Sequence, residues 1–252
     1  MRFGICYDIR KIKDAEKAGY DYFDGKLNAI AAYSDEEFAE VLKLVEGSSI
    51  KVERCALLYP KTMAVVGPDY NEDEMVAYLE KAFSRMKALG CDLVVFGSGK
   101  SRMIPSGMRW QDAFAQLVQV TRKTSEVASR YGVRIAIEHL NRKETNLINT
   151  LTEGAALQAV VARENVGLLV DSFHMWQEGE DISKIPLCAP LMHAHIALKG
   201  TRGYPVEATE EVKEFFAALK AAGYDGTLSV EGKTEDFFGD SAKALAVMRA
   251  LC

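Results

Sequence analysis

Four side chains able to bind a cation or move a proton close four successive apolar runs in the second half of the chain. Glu138 ends RIAIE (134–138), Asp171 ends GLLVD (167–171), His195 lies in HAHIA (193–197) and Glu231 ends TLSVE (227–231). Alone, each has an ordinary explanation: a carboxylate can cap a helix or pair with a lysine, and a strand histidine can be a hydrogen-bonded core residue. Brought together, three carboxylates would repel one another and raise each other's pKa values. A divalent cation removes that difficulty. Three oxygen ligands and one imidazole suit Mn²⁺ best, with Mg²⁺ or Co²⁺ also compatible and Zn²⁺ less favoured. The chain has four histidines, His139, His174, His193 and His195, and all fall on or just after these runs.

Something must bring the four residues to one place. Eight short apolar runs recur along the chain: 3–7, 20–24, 52–59, 92–99, 134–140, 167–173, 191–198 and 227–232. Most do not alternate apolar with polar residues, as expected of parallel strands covered on both faces. Helical patterns lie between them. IRKIKDAEKAG ends on Gly19, suited to a C-cap, and Ser34 with acids behind it suits an N-cap. Met75, Val76, Leu79, Phe83 and Met86 form one stripe at helical spacing, and four more patterns follow at 110–132, 152–165, 209–223 and 240–251. Residues 178–190 are poorer, with a short helix expected near Ile182–Leu187, cut by Pro186.

Strand–helix alternation through eight units is the rhythm of an α/β fold, a single (β/α)8 TIM barrel over residues 1–252. A doubly wound sheet competes, but no GxGxxG follows the first strand to support a dinucleotide site. In a barrel of this kind chemistry sits at the C-terminal ends of the strands. His193 and His195 share a strand face, and His195 is nearer that end.

Composition narrows the function. The chain is 48% hydrophobic and 27% charged, enough for a sizeable core, and its net charge of -5 disfavours a nucleic-acid partner. The five cysteines are scattered without a CxxC pair, which fits reduced thiols and a cytoplasmic location. No run approaches membrane-spanning length, so no membrane partner is expected.

The motifs IEHLNRKETNLINT (137–150), VDSFHM (170–175), HAHIA (193–197) and SVEG (229–232) resemble the xylose-isomerase-like sugar isomerase/epimerase superfamily. Within it the closer likeness is to ketose 3-epimerases of the D-tagatose/D-psicose type. The resemblance implies that Glu138, Asp171, His195 and Glu231 hold one divalent metal, and that Glu138 and Glu231 are the acid/base pair. It also implies that Glu144 and His174 help hold the substrate. The family's arginine six residues after the metal-binding histidine is replaced by Thr201, with Arg202 beside it.

The expected activity is that of a metal-dependent sugar epimerase or isomerase. One glutamate removes a proton from carbon, the cation stabilises the enediolate, and the other glutamate returns a proton. The substrate is a small sugar or sugar phosphate. Tyr7 and Trp176, at strand exits, are candidates to stack on it, and Lys199, Arg202, Ser98 and Arg102 are candidates for a phosphate or hydroxyl. The alternatives are a lyase or dehydratase on the same scaffold, of the C-glycoside-cleaving or inositol-catabolism kind, and a non-catalytic sugar-binding barrel. A C-glycoside-cleaving enzyme would need a second subunit; otherwise a homo-oligomer is compatible with the chain. A DNA phosphodiesterase with a zinc cluster would need more histidines than four.

Overall fold

Each of the eight apolar runs overlaps a strand. The computed structural model describes all 252 residues. Its strands are β1 (Arg2–Cys6), β2 (Tyr22–Lys26), β3 (Val52–Ala56), β4 (Leu93–Phe96), β5 (Arg134–Glu138), β6 (Val166–Asp171), β7 (His193–Ile196) and β8 (Thr227–Val230). They close in chain order into a parallel barrel, with β8 paired back onto β1. The helices are α1 (Ile12–Ala18), α2 (Leu27–Ala32), α3 (Asp35–Glu46), α4 (Glu72–Leu89), α5 (Trp110–Arg130), α6 (Leu151–Val161), α7 (Ser172–Glu178), α8 (Glu210–Ala221) and α9 (Phe237–Leu251). Short 3-10 turns precede α1 at Ile9–Lys11 and follow α7 at Ile182–Cys188; the second contains Pro186. No helix is long and apolar enough to cross a membrane.

Local chemistry sets the helix ends. Ser34 caps α3 in a capping box, its hydroxyl accepting from the Glu37 N–H while the Glu37 carboxylate accepts from the Ser34 N–H. Asn71 caps α4, and Gly90 closes it in the left-handed region at φ 75°. Gly19 does the same for α1.

Two apolar layers hold the barrel. A large cluster packs the outer faces of the strands against the helices, and a small separate one, Leu93, Val95, Ala136 and Leu169, fills one side of the interior. The opposite side of the interior is polar. Tyr22 donates or accepts at Ser229 Oγ (2.9 Å), and Arg54 Nε donates to Thr227 Oγ1 (3.2 Å). Gly4 makes room for Tyr22: a Cβ there would meet the ring at 2.2 Å.

Three segments differ from the sequence-based expectation. The second strand runs Tyr22–Lys26 rather than 20–24, because Asp24 is fully buried inside the barrel instead of marking the strand's end. The six-residue α2 was not expected; it is too short to show a periodic stripe. Ser172 and Phe173 belong to α7, not to the sixth run, because Asp171 Oδ1 accepts from the N–H groups of Phe173 (2.7 Å) and His174 (3.3 Å) and starts a helix.

Arg102, expected as a candidate substrate contact, is a structural clamp. Its guanidinium is fully buried and donates to the carbonyls of Phe96 (2.9 Å) and Glu138 (2.7 Å), tying the end of β4 to the end of β5. Burial holds its pKa down at about 10, against the raising charges of Glu138, Glu144 and Glu153. Replacing Arg102 with Lys should cost roughly 2–4 kcal/mol of stability by leaving buried carbonyls without partners. Urea or guanidinium unfolding of the purified variant measures this directly; an unchanged midpoint would contradict the clamp.

Candidate metal centre and active site

β5, β6, β7 and β8 are neighbours in the barrel, so the residues at their C-terminal ends share one sector of the rim. His195 Nδ1 lies 3.3 Å from Glu138 Oε1, 3.5 Å from Glu231 Oε2 and 4.0 Å from Asp171 Oδ2. The four candidate donor atoms all lie within 4.8 Å of one another. Glu138, Asp171 and His195 are buried and Glu231 nearly so.

Two unit charges at that separation repel by roughly 3–4 kcal/mol at an effective dielectric of about 20. The protein alone relieves this by holding a proton on His195. Burial opposes charging the imidazole, but the charge of Glu231 and the hydrogen bonds the ring makes to Asp24, Glu138 and Glu231 raise its pKa well above the usual value. A cation in the same place would do the work of that proton with more charge. Asp171 strengthens the fit: its Oδ1 caps α7, while its buried Oδ2 has no partner in the protein and faces the cluster. An unpartnered buried carboxylate oxygen is costly, and a divalent metal satisfies it. The cluster therefore supports a divalent metal site.

The imidazole is oriented from behind. Asp24, in the middle of β2, accepts from His195 Nε2 (3.3 Å), and the same oxygen lies 3.2 Å from His193 Nε2. An ionised carboxylate can only accept, so Nε2 of His195 carries a proton, and in the neutral ring that a metal would bind it carries the only one. With that ring neutral the Nδ1 lone pair of His195 faces the three carboxylates, while the Nδ1 of His193 lies 2.8 Å from the Thr227 carbonyl and 2.9 Å from its Oγ1. Burial keeps His193 down at about 4, so it stays neutral. For Asp24, burial opposes ionisation, but the two histidine hydrogen bonds outweigh it and hold the carboxyl below the usual range.

The two glutamates have unlike surroundings. Burial raises the Glu138 pKa, with the charge of Glu231 adding to it and the hydrogen bond to His195 opposing. Its Oε2 lies so close to Gly97 that a Cβ there would sit 2.0 Å away, so only glycine fits. Burial acts upward on Glu231 too, but His195 and then Arg202 overcome it and hold the group at about 2. Arg202 Nη2 donates to Glu231 Oε2 (3.1 Å) and Nη1 to Glu144 Oε1 (2.8 Å), with the guanidinium 4.8 Å above the Phe173 ring. Cys6 Sγ lies 3.8 Å from Glu231 Oε1.

His174 is fully buried, and its Nδ1 accepts from the Asn141 N–H (3.1 Å). Its proton is therefore on Nε2, which has no partner in the protein and lies 3.9 Å from Asp171 Oδ2. Glu144, His174 and Arg202 are thus brought to the cluster. Tyr7 is at the mouth, half-buried, with its ring 4.5 Å from Phe237. Trp176 is not brought there: it lies in α7 with its ring 6.2 Å from Phe215 of α8, part of the outer core. Ser98 is a buried residue of the loop after β4, away from the four-residue cluster, and Lys199 is an exposed loop residue.

Sequence reasoning passed over Asp24, Cys6 and Gly97. Asp24 has a readable signal, an acid at the end of an apolar run, but along the chain it reads as that run's boundary. Nothing local marks Cys6 or Gly97, since their roles depend on strands far away in sequence.

The model of the xylose isomerase-like TIM barrel family matches residues 12–251. A ketose 3-epimerase of Arthrobacter globiformis is 30% identical over 98% of this chain and 84% of its own length. An L-ribulose 3-epimerase of Methylomonas sp. (strain DH-1) is 29% identical over 88% of this chain and 77% of its own. In fold, the crystal structure of a D-psicose 3-epimerase in the presence of D-fructose covers 100% of this chain and 99% of its own, with a TM-score of 0.85 at 23% identity. Barrel closure, the acidic cluster on its last four strands and these matches agree: the chain belongs to the xylose isomerase-like TIM barrel family.

Proposed function

We propose that the protein is a divalent-metal-dependent ketose 3-epimerase, with Glu138 and Glu231 as its proton-transferring pair. The observation that carries this reading is the placement of two glutamates around one imidazole nitrogen, each with a second oxygen left over. Binding alone would need no such pair. The similarity to curated ketose 3-epimerases supports the reaction class. Glu138, Asp171, His195 and Glu231 would hold the metal, Mn²⁺ by the weight of oxygen donors in the set. When bound, the cation supplies Lewis-acid stabilisation of the negative charge that develops on the substrate oxygens.

The chain's own residues account for the rest. One glutamate takes the proton from the carbon beside the carbonyl, and the other returns a proton to the opposite face of the same carbon. β5 and β8 stand three strands apart around the ring, which lets the two carboxyls address a flat intermediate from two sides. Arg202 holds Glu231 in place and links it to Glu144, whose other oxygen is available to a substrate hydroxyl. The unpartnered His174 Nε2–H is available to a substrate oxygen. Five free thiols, four of them buried, agree with a reducing, cytoplasmic location.

Glu138→Gln and Glu231→Gln should each lower kcat by more than about a hundredfold while circular dichroism shows the barrel intact. Turnover close to wild type in either variant would remove that residue from the mechanism. With the wild-type enzyme in D₂O, a ketose panel should acquire one solvent deuterium at C3. Label at C1 would indicate aldose–ketose isomerisation, and loss of water or an aglycone would indicate a lyase.

Two further outcomes concern the metal. His195 carries a raised pKa without it, so loading at neutral pH should release about one proton, and apparent affinity should rise with pH. Calorimetry in buffers of different ionisation enthalpy counts that proton. Asp24→Asn should weaken metal binding roughly 10–100-fold by freeing His195 to rotate; equal affinities in the same titration would deny Asp24 its orienting role.

A further inference from the structure

A cleft of about 590 Å³ opens at the mouth beside the acidic cluster, lined by α2 and by the loops that follow β3, β4 and β5. Glu144 lines it, and Glu144 is the residue that Arg202 ties to Glu231. The loop that forms another wall, Ser98–Ser101, starts next to Gly97, against which Glu138 rests. None of the four cluster residues lines the cleft, but through Glu144 and the Gly97 turn it borders the place where the two glutamates meet.

Its polarity is opposite to that of the cluster. Lys61, Lys100 and Lys143 all line it, from three different loops. None of their ammonium groups has a carboxylate partner, whereas the one acid of the lining, Glu144, is already paired with Arg202 at 2.8 Å. Other donors point the same way. Ser98 Oγ accepts from the Tyr59 N–H at 2.9 Å, and its own proton has no acceptor in the protein. Asn28 uses its Oδ1 on the Ala29 N–H at 2.8 Å, leaving its amide donors free. On a chain of net charge -5, three unpaired lysines around one concavity are a local reversal of sign.

The backbone is also held in an unfavourable form here. Leu57 and Ser98 both line the cleft and both have positive φ, 59° and 40°. Neither is a glycine, and such conformations cost free energy that surrounding structure must offset; they cluster where a loop's shape serves binding.

We propose that this cleft holds the phosphate of a phosphorylated ketose, so that the substrate class is a ketose phosphate. The inference rests on the epimerase reading above. A dianion meets lysines as compact point charges and accepts from hydroxyl and amide donors, matching a donor-rich site. The carbonyl end of the sugar would lie at Glu138 and Glu231, and the phosphate would reach out past Glu144 towards the three lysines.

The test compares a ketohexose with its 6-phosphate on the metal-loaded enzyme. The expected result is a kcat/KM ratio favouring the phosphate ester by at least about tenfold, shrinking as ionic strength rises. The variant Lys61→Ala/Lys100→Ala/Lys143→Ala should bring that ratio down at least about tenfold, through KM for the ester, while Lys213→Ala on α8 leaves it where it was. Inorganic phosphate should compete with the ester in the wild type and lose that effect in the triple variant. Turnover of free ketoses with no preference for the ester would overturn the phosphate site and leave the epimerase reading standing. If no ketose or ketose phosphate exchanges a proton, yet calorimetry shows ester binding that the triple variant loses, the site stands and the epimerase reading falls.

Discussion

Three carboxylates crowded onto one imidazole nitrogen form the constraint on which the rest of this molecule depends. Negative charge at that density does not persist in a buried place without a counter-charge. The protein as a bare chain supplies one proton, on His195, and that proton is the measure of what a metal must replace. The same crowding that calls for a cation also leaves each glutamate with an oxygen to spare for proton transfer. Binding and catalysis thus draw on one arrangement.

The scaffold spends several side chains on holding that arrangement still. Asp24 reaches across the barrel to fix both ring nitrogens of His195 in their roles, and His193 is locked beside it by Thr227. Asp171 serves twice, one oxygen starting α7 and the other left for the cluster. Arg102 ties the carbonyl of Glu138 to the end of β4, so the residue before the catalytic rim cannot drift. The barrel interior is correspondingly divided, apolar on the side of β4 to β6 and hydrogen-bonded on the side of β1, β2 and β8. A wholly apolar interior could not have carried the Asp24 relay.

Charge is also divided along the mouth. Acid is concentrated at the ends of β5 to β8, and unpaired base on the loops after β3, β4 and β5, with the Glu144–Arg202 pair at the seam. A substrate lying across that seam would meet proton-transferring groups at one end and donors at the other. Such a division orients a small polar molecule without any moving part.

The eight-fold alternation, the positions of most strands and the four residues at the ends of β5 to β8 were legible in the amino-acid sequence, because strand burial and helix capping are set by neighbours a few residues away. Trp176 could not be placed that way: one helical turn beyond β6 it faces α8, and only the start of α7 at Asp171 decides this. Arg202 stood one position off the expected pattern, yet its positive φ of 55° and its two carboxylate partners bring it to the site. Asp24 was hidden for the opposite reason, since a charge inside a barrel looks, along the chain, like the end of a strand. Local sequence determined which residues arrive at the mouth from the last four strands. Only closure of the barrel decided what stands behind and beside them, because those partners are brought together by pairing β8 with β1 and not by any spacing along the chain.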